Sequence, residues 1–245
     1  MSLRVTGTYL NVAGIVAGGL LGLARPKPLA NATQFFAKTT LGALTVFFGL
    51  RLVWLSFNGS MLQVLKQFGV VLLSLSLGKL IGQFLQLQKK SNHLGRFARE
   101  RLAAGKPGAA DRFVTGFKVC TALFCTAPIG LLGAVHDGLS DYIAPLAIKA
   151  AMDGLAAMSF VSIFGWGVLF SAVPVLVLQG TISLACARLA LPFLEAHNLT
   201  DSVDATGGFL VFCVALVIFE VRKIQVTDYL PALAIAPLLT WWWLR

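Results

Sequence analysis

No aspartate or glutamate occurs in the first 99 residues of this 245-residue chain, although the same stretch carries eleven Lys or Arg. Charge is scarce throughout, at 12% of residues, against the roughly 25% usual in soluble domains. Hydrophobic residues make up 57%. That composition excludes an ordinary water-soluble surface, so the chain is read as living in a bilayer. At about 20 residues per span, little chain is left over for a soluble lobe. The four cysteines, Cys120, Cys125, Cys186 and Cys213, lie in apolar runs and form no CxxC. Their spacing points to neither a disulfide framework nor a zinc site. Missing as well are a G-x-S-x-G, a G-x-x-x-x-G-K-[ST] and any zinc-protease pattern around His93, His136 or His197. A serine hydrolase, an ATP-driven pump and a metalloprotease thus have no visible machinery. The expectation is a non-enzymatic protein without cofactor or metal.

What is present is a series of apolar runs, at about 5–24, 38–57, 61–86, 114–135, 144–163, 166–190, 205–221 and 230–244. They predict an all-α, polytopic transmembrane bundle of about eight spans, forming one integral-membrane domain over residues 1–245. The eighth is short and carries Pro231 and Pro237. The first is not read as a cleaved signal, because Arg25, Pro26, Lys27 and Pro28 follow it where a small-residue cleavage site would stand.

The connections alternate in charge. Arg25 and Lys27 follow the first span, the stretch after the third holds Lys89, Lys90, Arg96, Arg99, Arg101, Lys106 and Arg112, and Arg222 with Lys223 follow the seventh. Arg4 and Arg245 mark the opposite side, with the Asn58-Gly59-Ser60 turn and the acidic segment Glu195 to Asp204. The positive-inside rule then places both termini outside the cytoplasm of a bacterial inner membrane. The polar stretch at 87–113 is read as a basic cytoplasmic loop with weak amphipathic character from Phe97 and Leu102. Its Arg96, Arg99 and Arg101 suit anionic lipid headgroups, and with no interleaved stacking aromatics it does not suit nucleic acid.

Gly42 to Phe48 in the second span resembles Gly207 to Cys213 in the seventh. If spans 1–3 correspond to spans 6–8, the offset of five makes the repeat inverted, an arrangement common in secondary transporters.

Ionisable groups at membrane depth are costly, about 2.5–3.5 kcal/mol on insertion scales. Lys149 and Asp153 stand at i and i+4 in the fifth span, on one helical face. They form either a neutralised structural pair or a site where a substrate or proton competes for one member. Asp137, at the outer end of the fourth span, shares an Asp-Gly-Leu with Asp153; it is a cap or turn residue, or an outer entry. The first span carries Asn11 and then Gly14, Gly18 and Gly22, a GxxxG stripe for close packing that also permits a homodimer. The sixth has Ser171, Pro174 and Gln179, which either line a pathway or bend a buried helix. Glu220 is expected to pair locally with Arg222 or Lys223, Lys79 is the deepest lone lysine, and Trp241 to Trp243 form an interfacial anchor.

Several of these residues fall into a pattern: Gly7-Thr8 with Asn11, Pro128-x-Gly130 to Asp137-Gly138, Lys149-x-x-x-Asp153-Gly154, Gly167 to Pro174, Gln179-Gly180, Leu230-Pro231-Ala232 and Ala236-Pro237. Taken together they resemble the YdfK/YqgA-like bacterial inner-membrane proteins, a family classed as a domain of unknown function. The resemblance implies a polytopic inner-membrane protein and no particular substrate. Two readings follow. One is a small secondary transporter or ion-conducting protein, with Asn11, Asp137, Lys149, Asp153, Ser171 and Gln179 on its pathway and a small solute or ion as partner. The other is a structural or regulatory membrane protein acting through its basic loop.

Overall fold

The computed structural model describes residues 4–25, 30–105, 107–108 and 111–243. Pro26, Lys27, Pro28, Lys106, Arg245 and the last residue of the eighth predicted span lie outside the described residues. The helices are α1 (Thr6–Ala24), α2 (Asn31–Ser56), α3 (Met61–Phe84), α4 (Leu87–Ala103), α5 (Arg112–Thr126) and α6 (Pro128–Ser140). They continue with α7 (Ala144–Phe164), α8 (Gly167–Phe170), α9 (Ala172–Ala185), α10 (Leu191–Ala196), α11 (Thr200–Ile218) and α12 (Ala232–Trp243). A π-helical turn, Cys186–Ala190, joins α9 to α10, and a 3₁₀ turn, Val226–Tyr229, precedes α12. Among the described residues the architecture is all-helical.

Among the described residues, six segments are long and apolar enough to cross a membrane: α1, α2, α3, α7, the α8 to α10 run and α11. The α5 and α6 pair, bent by 60°, is a broken seventh span or a re-entrant segment. These six or seven stand beside the roughly eight expected from the sequence. Pro128 sits in the first turn of α6 and breaks the predicted fourth span, as proline requires. The predicted eighth span is α12, of 12 residues, about 18 Å at 1.5 Å per residue and short of the roughly 30 Å hydrocarbon core. Large apolar side chains such as Phe35, Phe36, Trp54, Met61 and Phe84 are exposed on the outer surfaces of α2 and α3, where lipid replaces water as the solvent.

The stretch read as a basic loop is mostly helix. In α4, Ala98 is buried and Phe97 and Leu102 pack against the apolar cluster that includes Val119, Phe124, Val161 and Phe164. Arg96, Arg99 and Arg101 stay exposed. This is a strongly amphipathic helix whose periodicity is masked in the sequence by its charge. Its N-terminus has no local cap. Instead Asp228 accepts a hydrogen bond from the Gln88 N–H at 2.7 Å, and the Gln88 side chain accepts one from the Thr227 N–H at 3.1 Å.

Glycines set the closest contacts. A Cβ placed on Gly14, Gly18 or Gly22 would stand 2.5, 2.0 and 2.4 Å from the carbonyl oxygens of Ala150, Gly154 and Met158. Because these numbers climb together, α1 and α7 run parallel with their backbones touching, as a GxxxG face allows. Other pairs run antiparallel. Gly42 meets Ile218 while Gly49 meets Phe212 and Gly208, so α2 opposes α11; Gly78 meets Ala232 and Gly82 meets Asp228, so α3 opposes α12.

These directions sort the connections between two ends. At one end Arg4 bonds the Leu139 carbonyl and lies 4.0 Å from Glu195, while Asn58, Asn198 and Trp241 surround a cavity of about 630 Å³. At the other end Arg112 caps the C-terminus of α7 through the carbonyls of Ile163 (2.8 Å) and Ser162 (2.9 Å). There Glu220 pairs with Lys38 of α2 rather than with its sequence neighbours, because it sits at positive φ just past α11 and points across to that helix. The ammonium holds the Glu220 carboxyl below its ordinary range. Any stabilisation is thus present above the normal carboxylate pKa and lost as pH falls through the lowered value, and at this exposure it is small.

Replacing Gly18 by Leu should separate α1 from α7, costing about 1–3 kcal/mol or more by overpacking and lowering the melting temperature of the purified protein in detergent. Gly69→Ala, where a Cβ would meet nothing within 4 Å, should be neutral or slightly stabilising. Equal melting of the Gly18→Leu variant and the parent would contradict the packing.

Candidate functional site

Close packing of α1 on α7 fixes what faces the Lys149 to Asp153 pair. Both residues lie on one face of α7 and form a direct ion pair, with Lys149 only 1% and Asp153 7% exposed. An isolated charge in that setting would neutralise, so the pair is the condition for either group to remain ionised. Asn11, on the face of α1 that meets α7, lies beside Asp153 and donates to the Gln179 side-chain oxygen of α9 at 3.1 Å. The Asn11 amide oxygen is buried and has no partner. Phe124 of α5 offers its ring face to the Lys149 ammonium, 5.9 Å from the centroid, a cation–π contact. Gly130 of α6 leaves the space: a Cβ there would lie 2.6 Å from Lys149 Cε and 3.0 Å from Gln179 Nε2.

Polar groups continue from this cluster along the α1 and α9 interface. Thr8, one turn before Asn11, lies 3.4 Å from the hydroxyl of Ser183, one turn after Gln179. Ser183 donates to the Ala134 carbonyl at 2.9 Å and lies 3.5 Å from Asp137. Asp137 accepts hydrogen bonds from the backbone N–H groups of Gly7 (3.0 Å) and Thr8 (3.2 Å). It is a cap, as one sequence reading has it, but of α1 rather than of its own helix, and it is fully buried rather than near water. Val5 provides α1 with no side-chain cap, and a carboxylate at a helix N-terminus is favoured by the dipole. The result is a ladder of Asp137, Thr8 with Ser183, Asn11 with Gln179, and Asp153 with Lys149.

Four of the six predicted pathway residues, Asn11, Lys149, Asp153 and Gln179, thus meet in one cluster, and Asp137 joins through the ladder. Ser171 does not. Its hydroxyl donates to the Val168 carbonyl at 2.5 Å, satisfying the break between α8 and α9, about 12 Å along the helix from Gln179. Lys79 faces the Tyr229 ring at 5.6 Å, away from the cluster. Sequence reasoning named Thr8 and Gly130 only within the family pattern, without placing them at the site, and missed Phe124 and Ser183. Helical spacing was a usable signal for two of them, since Thr8 to Asn11 is i, i+3 and Gln179 to Ser183 is i, i+4.

The arrangement presents a carboxylate, an ammonium and two amides in a setting shielded from water. A small cation can replace the ammonium at Asp153, and an anion can replace the carboxylate at Lys149. Protonating Asp153 would release Lys149, so occupancy by ion, solute or proton is coupled through one salt bridge. Asp137→Ala should leave the Gly7 and Thr8 N–H groups unpaired, costing about 1–3 kcal/mol, with Asp137→Asn intermediate; thermal unfolding of both variants checks the order.

Two relatives share nearly the full length of the chain. It is 28% identical over 246 residues to the "Uncharacterized protein YqgA" of Escherichia coli (strain K12), covering 97% of each. It is 26% identical over 232 residues to the "Uncharacterized membrane protein YdfK" of Bacillus subtilis (strain 168), covering 94% of this chain and 93% of that one. No solved structure matches the chain. The polytopic apolar helices and these likenesses agree with the family model that matches residues 6–241, and the chain belongs to that membrane-protein family, described as "Protein of unknown function (DUF554)".

Proposed function

We propose that the chain is a small secondary transporter or ion-conducting protein of the bacterial inner membrane, not an enzyme. Its site is the Lys149 to Asp153 pair with Asn11 and Gln179. The observation that carries this reading is the buried ion pair beside an amide oxygen that has no partner. A bundle built only for stability gains little from such a pair, since apolar residues of similar volume often serve as well or better. The site is closed in this conformation, which the reading takes as the occluded state of an alternating-access cycle.

Two further features support it. The pairs α1 with α9, α2 with α11 and α3 with α12 all run antiparallel, the relation that an inverted repeat of spans 1–3 and 6–8 requires. The end holding Arg112 and the basic helix α4 is taken as cytoplasmic by the positive-inside rule. The termini then face the opposite side, and Arg96, Arg99 and Arg101 contact anionic lipid. The exposed apolar faces of α2 and α3 are the surfaces for lipid or a second copy of the chain.

A second reading, a structural or regulatory protein acting through α4, is favoured by the exposure of those three arginines on a helix whose other face is docked into the core. The two readings separate by mutation. In reconstituted vesicles assayed across inorganic ions, amino acids and organic acids, Asp153→Asn and Lys149→Ala should each reduce flux at least tenfold while the protein still folds. Combined replacement of Arg96, Arg99 and Arg101 by Gln should leave flux within about twofold. The reverse pattern would establish the second reading and refute the first.

A further inference from the structure

A second buried ionisable cluster lies on the far side of α6, outside the ladder. His136 of α6 places Nδ1 2.9 Å from a carboxylate oxygen of Asp204 on α11. The Ser140 hydroxyl, one turn further along α6, lies 2.6 Å from both oxygens of that carboxylate. His136 is fully buried, and its Nε2 has no hydrogen-bond partner. Gly207 packs on the ring edge, where a Cβ would stand 1.8 Å from Nε2. The Asp204 side chain keeps 11% exposure. The turn of α11 that carries it also presents Asp201, Ser202 and Ala205 to the cavity of about 630 Å³ at the Arg4 end.

Chemistry assigns the protons. A carboxylate facing Nδ1 holds the ring proton there, so Nε2 is left as a lone pair with no donor. In that state the cluster carries one uncompensated negative charge inside the bundle. One added proton converts it to an imidazolium–carboxylate pair with no net charge, the form that a low-dielectric interior favours. A histidine serving only as a packing strut has no need of a buried, unpaired ring nitrogen.

We propose that His136, Asp204 and Ser140 form a proton-binding site that takes the coupling proton of the transporter, entering from the cavity at the Arg4 end. The coupling role rests on the transport reading above; proton binding itself does not. The proton adds to the Nε2 lone pair, Asp204 remains the counter-ion, and Ser140 holds the carboxylate in place. His136 is followed in α6 by Asp137, which caps α1, and α1 carries Asn11 into the substrate cluster. A charge change at His136 therefore acts on the helix turn that anchors α1.

The ionisable groups around the site come from every neighbouring element. Asp137 and Asp141 lie on or just past α6, Asp201 stands one turn before Asp204 on α11 and lines the cavity with Lys66 of α3 and His197, and Arg4 sits at the Leu139 carbonyl. Tyr142 donates its hydroxyl to the Phe48 carbonyl of α2 at 2.8 Å, with Arg51 acting on it. The Cys186 side chain packs on Gly138, and Lys149 of α7 reaches α6 at Gly130. Apart from Asp204, no ion-pair partner of His136 occurs among the described residues.

The chain has three histidines, so His93→Gln with His197→Gln leaves His136 as the sole imidazole; because His197 lines the cavity, His93→Gln alone is measured beside it as the variant that keeps the entry intact. Nitrogen-15 NMR of the double variant in lipid should give the Nδ1-protonated tautomer at high pH and reversible conversion to imidazolium as pH falls from about 9 to about 5. Asp204→Asn should lower the midpoint by about one to three pH units, a tenfold to thousandfold loss of proton affinity. In vesicles, His136→Gln should abolish accumulation driven by a pH gradient while solute exchange without a gradient persists. A His136 that stays in one protonation state across this range, or a midpoint unmoved by Asp204→Asn, overturns the proposal. Normal titration with no flux of any kind instead overturns the transport reading and with it the coupling role.

Discussion

The backbone contact between α1 and α7 is the constraint on which the rest of the interior depends. With Gly18 against the Gly154 carbonyl, and Gly14 and Gly22 one turn to either side, no side chain separates the two helices. Polar groups on their flanks are consequently forced into hydrogen-bonding range. Asn11 reaches Asp153 because α1 is this close, and Gln179 reaches Asn11 because α9 packs into the same groove. A bilayer offers these groups no water, so each must find its partner inside the protein. Once α1 is fixed, its unsatisfied N–H groups have to be met as well, and Asp137 meets them from α6. The same solution recurs where Asp228 meets the start of α4. Acidic residues in the second half of the chain thus cap helices in the first half, which contains no acidic residue before Glu100.

Much of this could be read in the sequence, because helical periodicity and hydropathy are local signals. Lys149 and Asp153 at i and i+4 required only one helix to form, and the GxxxG stripe of α1 required only that small residues mean close approach. Two local signals were misleading. Residues 114–135 are apolar apart from Lys118, and the 60° bend at Pro128 becomes visible only when α5 and α6 are seen to lean apart. The charge of α4 hid a helix whose buried face is small, comprising Ala98, Phe97 and Leu102. Pairings between distant segments were not legible: Asp204 with His136, Glu220 with Lys38 and Asp137 with α1 all span long sequence separations, and each looks like an ordinary loop or helix-end residue until the fold brings it to its partner.

The bundle holds two ionisable clusters with α6 between them. On one side the ladder from Asp137 to Lys149 and Asp153 is internally neutralised at its inner end by an ion pair. On the other, His136 meets the Asp204 carboxylate through Nδ1 and keeps a buried, unpartnered Nε2. Both attach to the same short helix, which begins at a proline and packs through Gly130, Gly133 and Gly138 against α7, α9 and the π turn. A short helix with small residues at its contacts and a 60° bend behind it is well suited to shift as a unit, and its movement would be felt by both clusters.

The central claim is that the Lys149 to Asp153 pair exists for function rather than for stability. Replacing both members by apolar residues of similar size, Lys149→Met with Asp153→Leu, tests it most directly when thermal stability in detergent and solute flux in vesicles are measured on the same preparation. The account predicts a double variant at least as stable as the parent, since no buried charge is left unpaired, together with loss of flux. A double variant that keeps the parent's flux, or one whose only defect is a large loss of stability beside a parent that moves no solute, would contradict it.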